Sequence, residues 1–135
     1  MITTTIINVL RSDTTLVTLL GAANITSTFK FDDTLDKQIN VSLAYGETVP
    51  FDQTGNTYDG QVNVYVLVKD TLSEAILSID AITSRVLTLL DIKGTTLDET
   101  AIVYWVQKLD AGFTHYDGIH FYEMAITFRF VSSKS

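Results

Sequence analysis

The sequence contains no cysteine, a single proline and two histidines. The lack of cysteine excludes disulfides, thiolate metal ligands and a thiol nucleophile, and it suits a reducing cytosol or a particle assembled there. Basic residues are also scarce: 9 Lys and Arg stand against 16 Asp and Glu, for a net charge of −7. The acids are spread along the chain, and no group of lysines and arginines could neutralise several phosphates, so ordinary DNA or RNA binding is disfavoured. No apolar run approaches the roughly eighteen residues needed to span a bilayer. The opening MITTTIINVLRSD has neither a basic start nor a long apolar core, so no signal peptide is expected and the protein reads as soluble and intracellular.

What is present is a globular composition. Hydrophobic residues make up 46% and charged residues 19%, which argues against disorder. A chain of 135 residues fits one domain. Such a domain buries about two-thirds of its unfolded surface, enough to hold without a staple.

Apolar residues at helical spacing, Ile2, Ile6, Val9 and Leu10 and then Leu16, Val17, Leu19 and Leu20, predict one bent helix or two short ones. Ser12 or Asp13 is placed to cap the second part and Gly21 to stop it. From Ile25 the pattern becomes strand-like, weakly in ITSTFKF and clearly in INVSLAYG. The stretch 46–60, with Pro50, Gly55 and Gly60, reads as a long connection or flexible hairpin arm. QVNVYVLVKD is the clearest strand, and its two apolar-leaning faces predict a central position. Thr71–Glu74 (TLSE) has capping-box spacing ahead of an apolar stripe from Leu72 to Leu90, with Lys93-Gly94 as the stop. IVYWVQKL is a further strand, DAGFTHYDG a loop, and IHFYEMAITFRFVS a closing strand. The order helix, strands, helix, strands predicts an α+β domain: an antiparallel or mixed sheet with an N-terminal helical segment and one long helix on one face.

Both histidines lie in HYDGIHFYE (His115–Glu123). A two-residue turn at Asp117-Gly118 would place His115 directly across from His120, close enough to share a metal. A catalytic zinc needs three protein ligands and a structural one four. Only Asp117 could join the histidines, since Glu123 points to the opposite side of the strand. The stretch therefore reads as a strand and turn, with no metal. No Gly-x-Ser-x-Gly elbow, Walker loop or dinucleotide fingerprint occurs, and no nucleophile motif includes a histidine. Converging carboxylates carry no positive sequence signal, and no enzyme is expected.

Three stretches in order carry a resemblance. They are LVTLLGAANI, which closes the helical segment; QVNVYVLVKDTLSEAILSIDAITSRVLTLL, a strand running into an amphipathic helix; and VYWVQKLDAGFTHYDGIHFYEMAITFRFV, a strand, an Asp/Gly-rich loop and a long last strand. In this layout, which covers most of the chain, the protein resembles the tail-terminator, or tail-to-head joining (tail completion), proteins of long-tailed bacteriophages. The resemblance implies a structural virion protein of the tail or neck, assembled in the host cytoplasm, with no catalytic residue, cofactor or metal. It implies a ring of copies, usually six, that caps the tail tube and meets a head-side connector or stopper protein. Genomic DNA would pass through without specific binding, aided by negative charge in the lumen, and no membrane is involved.

Contacts would fall on the two segments that the core explains least. One is 45–58, with Tyr45, Pro50, Phe51, Asp52 and Tyr58. The other is 110–117, with Asp110, Phe113, His115, Tyr116 and Asp117. The alternatives are a head-side completion (neck) protein, a tail-tube subunit with unusually high helix content, and a small soluble ligand-binding α+β domain or enzyme. A deep pocket with perturbed acids would mark the last of these.

Overall fold

The computed structural model describes residues 2–21, 24–27, 32–49, 57–92 and 103–132. Two helices, α1 (Ile2–Ser12) and α2 (Thr14–Leu20), lead into a two-residue strand β1 (Ile25–Thr26). Then come β2 (Lys37–Val49), β3 (Thr57–Lys69), α3 (Ala75–Leu90), β4 (Val103–Tyr116), a 3-10 turn (Asp117–Ile119) and β5 (Phe121–Ser132). The strands form one mixed sheet in the order β1-β2-β3-β5-β4. Only β1 on β2 is parallel. The two long outer strands, β2 and β4, run in opposite directions.

Alternation along the strands explains which face is buried. Ile39 and Val41 of β2, Val62, Val64, Val66 and Val68 of β3, and Ile126, Phe128 and Phe130 of β5 form one core with the helices. Into it α1 sends Ile6, Ile7 and Leu10, α2 sends Leu16 and Leu20, and α3 sends Ala75, Ile79, Ile82, Val86 and Leu90. All three helices therefore share one side of the sheet, and β3 is central as its sequence predicts. The other side is largely polar, with Thr127 Oγ1 donating to Asn63 Oδ1 at 3.0 Å and Thr26 Oγ1 to Asn40 Oδ1 at 3.0 Å. At one end it is covered: Gln38 Nε2 donates to the Asp32 carbonyl at 2.7 Å, with Leu67 and Phe121 buried nearby in the register.

Local chemistry sets the helix ends. Asp13 caps α2, its Oδ2 accepting from Leu16 N at 2.9 Å, and Gly21 ends the helix at φ 90, where a side chain would be strained. The expected capping box at Thr71–Glu74 does not form. After β3 the chain spends residues 70–74 reversing, with Leu72 N bonded to the Lys69 carbonyl, and α3 begins at Ala75 behind a left-handed Glu74 (φ 57). Thr71 is thus too early to be the cap.

The expected loop at 110–116 is strand, and the described part of 46–60 takes the form of a hairpin arm. Segment 46–60 continues the β2–β3 ladder, pairing Gly46 with Gly60 and Val49 with Thr57. Its tip, with Pro50, Phe51 and Asp52, lies outside the described residues, as does Lys93-Gly94. Likewise 110–116 belongs to β4, paired from Asp110–Thr127 to Tyr116–Phe121. For 110–116 the long partner strand β5 supplies hydrogen bonds that override the turn-forming composition.

Candidate functional site

The β4–β5 hairpin closes differently from the two-residue turn its Asp-Gly predicts. Tyr116 pairs with Phe121 and His115 with Tyr122, so residues 117–120 form a four-residue connection. His120 ends it in the left-handed region at φ 60, its N–H bonded to the Asp117 carbonyl. The two histidines are therefore not cross-strand partners. His115 instead lies beside Tyr122 on the helix side of the sheet, with ring centroids 4.5 Å apart, and Phe113 stacks on the same tyrosine at 5.5 Å.

Sequence reasoning passed over Asp70, just past the end of β3. Its backbone N–H donates to the His120 carbonyl at 2.9 Å, which ties the hairpin tip to the turn before α3. Its carboxylate, whose side chain is only 12% exposed, holds His115 Nε2 at 2.7 Å through Oδ2. On its other oxygen, Oδ1 lies 3.8 Å from His120 Nδ1. One ligand atom each from Asp70, Asp117 and His120 lies within 4.8 Å of the others. No spacing rule could have found Asp70, because it stands 45 residues from His115.

Across the sheet Tyr116 points the other way and donates from its hydroxyl to Glu123 Oε1 at 3.2 Å. Burial pushes the Glu123 carboxyl above its usual range, partly offset by that hydrogen bond. The nearby Glu123 charge is the main cause that raises Tyr116. Asp110 is exposed and bonds only locally among the contacts seen, accepting from Ala111 N at 2.9 Å. Leu109, Phe113, Tyr116 and Ile119 are between 41% and 49% exposed, an unusual density of large apolar groups on one hairpin. The helix surface adds Ile76 and Leu77, 51% and 63% exposed.

The structure thus gathers Phe113, His115, Tyr116 and Asp117 on one hairpin. It places Tyr45 and Tyr58 on the β2–β3 arm at the other end of the sheet. Tyr58 pairs with Ser132 whereas Lys69 pairs with Phe121 beside the hairpin tip. At about 3.3 Å per residue the two regions stand roughly 35 Å apart. A depression between α1 and α3, of about 330 Å³ and lined by Asn8, Val9, Ser12, Asp13 and Leu89, is open. Its acid, Asp13, is held below the usual carboxylate range chiefly by its hydrogen bond from Arg85, so it behaves as an ion-pair partner.

These features define a small α+β domain with helices on one face of a mixed sheet and a polar, aromatic hairpin at its edge. No family model matches the sequence, and no curated protein matches it. Among solved structures, a chain from the virion of a native gene transfer agent (GTA) particle superposes with a TM-score of 0.70 at 17% identity. The match covers 94% of this chain and 90% of that one. At this identity the likeness shows a shared fold. No helix among the described residues is long and apolar enough to cross a membrane.

Proposed function

We propose that the protein is a structural subunit of a phage-like particle, and within it a tail terminator that joins tail to head. The observation that carries this reading is the near end-to-end match to a virion chain, 94% of one and 90% of the other, which leaves little of either chain for a different architecture. The sheet supports self-assembly. Among the described residues β4 has no strand on its outer side, and β1 covers β2 only at Ile39 and Asn40. Two such open edges on one subunit are templates for pairing with further copies. Copies joined edge to edge form a heterologous interface, which gives a ring when the rotation closes.

In this reading six copies cap the tail tube. The exposed apolar residues of the β4–β5 hairpin meet one partner and the β2–β3 arm meets the other, the two being the tube protein and the head-side connector. DNA passes through the ring, and the net charge of −7 keeps the duplex from sticking.

Sedimentation velocity over a wide concentration range, followed by mixing with tail tubes of the same particle, tests this. Rings of six that cosediment with tubes are the expected result. A tight dimer at every concentration, or a chain that binds isolated portals and ignores tubes, overturns the terminator role. The second outcome would favour a head-side completion protein.

A further inference from the structure

The hairpin tip gathers more metal-binding chemistry than interaction requires, and we propose that Asp70, Asp117 and His120 form a binding site for a divalent transition-metal ion of the zinc class. Sequence spacing alone gave two histidines and one aspartate, with the histidines across from each other. The fold breaks up that pair and supplies a different third ligand, from another element.

Asp70 comes from the turn just after β3, while Asp117 and His120 come from the connection after β4. Their ligand atoms are already within 4.8 Å of one another. Ligands on a zinc-sized ion stand about 2.0–2.2 Å from it, so an ion at the centre draws the three side chains in by modest rotations. Asp117 and His120 are exposed, which leaves those rotations free.

The donor set decides the class of ion. Two carboxylates and one imidazole suit a borderline ion, whereas magnesium and calcium favour oxygen donors throughout. Three protein ligands leave room for water in the remaining position.

His115 completes the arrangement without being a ligand. It sits against the Tyr122 ring and bonds Asp70 Oδ2, which leaves Oδ1 facing His120. Metal-bound carboxylates are commonly held by such an outer hydrogen bond. The backbone bond from Asp70 N to the His120 carbonyl fixes the two elements at the required separation. A bound ion would fasten the β4–β5 tip to the turn that launches α3. The inference is independent of the virion reading, since it uses only the geometry of one chain.

The test is titration of the EDTA-treated full chain with zinc chloride, and separately with magnesium chloride, followed by calorimetry and by the ring resonances of the two histidines. One zinc per chain is expected, with the His120 ring shifting most and with weaker magnesium binding. His120→Asn removes the imidazole with a residue that tolerates the left-handed backbone. That variant and Asp117→Asn should each bind zinc at least about tenfold more weakly while melting as cooperatively as the parent chain without metal. Zinc binding as tight in His120→Asn as in the parent chain would mean scattered surface carboxylates and would overturn the site. So would magnesium binding that equals zinc, or no zinc uptake at millimolar concentration. Because the histidine resonances are read on the unmodified chain, a variant that fails to fold does not remove the test.

Discussion

Asp13 serves two neighbours with one carboxylate. Oδ2 accepts from Leu16 N and from Arg85 Nε, both at 2.9 Å, and Oδ1 accepts from Arg85 Nη2 at 2.6 Å. The cap starts α2, and the two-pronged ion pair ties that start to α3. Replacing Asp13 with Ala should cost about 1 kcal/mol for the cap alone, read as a lower Tm at pH 7. The pH dependence has a definite sign. Because the folded carboxyl titrates below its ordinary value of 3.8, its stabilisation is present above that value and is lost as pH falls through the folded one. The difference in Tm between the parent chain and Asp13→Ala should therefore close in acid.

Thr83 poses the opposite case. Its hydroxyl, on the buried face of α3, has no hydrogen-bond partner among the described residues, and such a group costs about 1–3 kcal/mol. Thr83→Val keeps the shape and removes that cost, so chemical denaturation should show a gain of about 1 kcal/mol. A loss instead would mean that the hydroxyl finds a partner in solution.

At the scale of elements, the central β3 and most of the apolar stripe of α3 were readable because one period governs each, although Leu72 falls in the turn ahead of the helix and Ile76 is 51% exposed. Four valines at alternate positions have one physical meaning in a strand, and the fold adopts it. The misread elements share a different cause. Gly112 and Asp110 are turn formers in isolation, yet each lies in β4 opposite a residue of β5, which β3 holds on its other side. The end of β3 shows the same limit: TLSE fits a capping box, but the bond from Asp70 N to the His120 carbonyl fixes where the chain turns. The cluster of Asp70 with Asp117 and His120 was half legible. The two residues on the hairpin were flagged by their chemistry, but the third is brought in by a sheet register that no local pattern encodes.

The β2–β3 arm offers a test at this scale. Its ladder reaches Val49 and Thr57, so replacing residues 50–56 with Asn-Gly would join the strands by a favoured two-residue turn. The expected variant keeps the parent Tm within a few degrees and fails to join tails to heads. Infectious or transfer-competent particles made with it would show that the arm is not the contact.

For the whole molecule, the two candidate contact regions stand at opposite ends of a sheet about as long as its longest strands. This separation suits a subunit held between two partners better than one that grips a single ligand. The sequence could name both segments but not their distance, because distance depends on β3 running unbroken from one to the other.

The opposed directions of β2 and β4 have a consequence for counting. Copies related by rotation about an axis along the strands would bring β4 of one beside β2 of the next with antiparallel polarity, so no copy has to be turned over. Nothing in such a join says when to stop. The bond pattern at each seam would be the same for five, six or seven copies, and the number would be set by how sharply each sheet bends. Register irregularities between Leu43 and Tyr45 on β2, and between Val103 and Trp105 and between Lys108 and Asp110 on β4, are the kind of feature that bends a strand. Edge chemistry would then govern whether the circle forms, and the curvature of a single chain would govern its circumference.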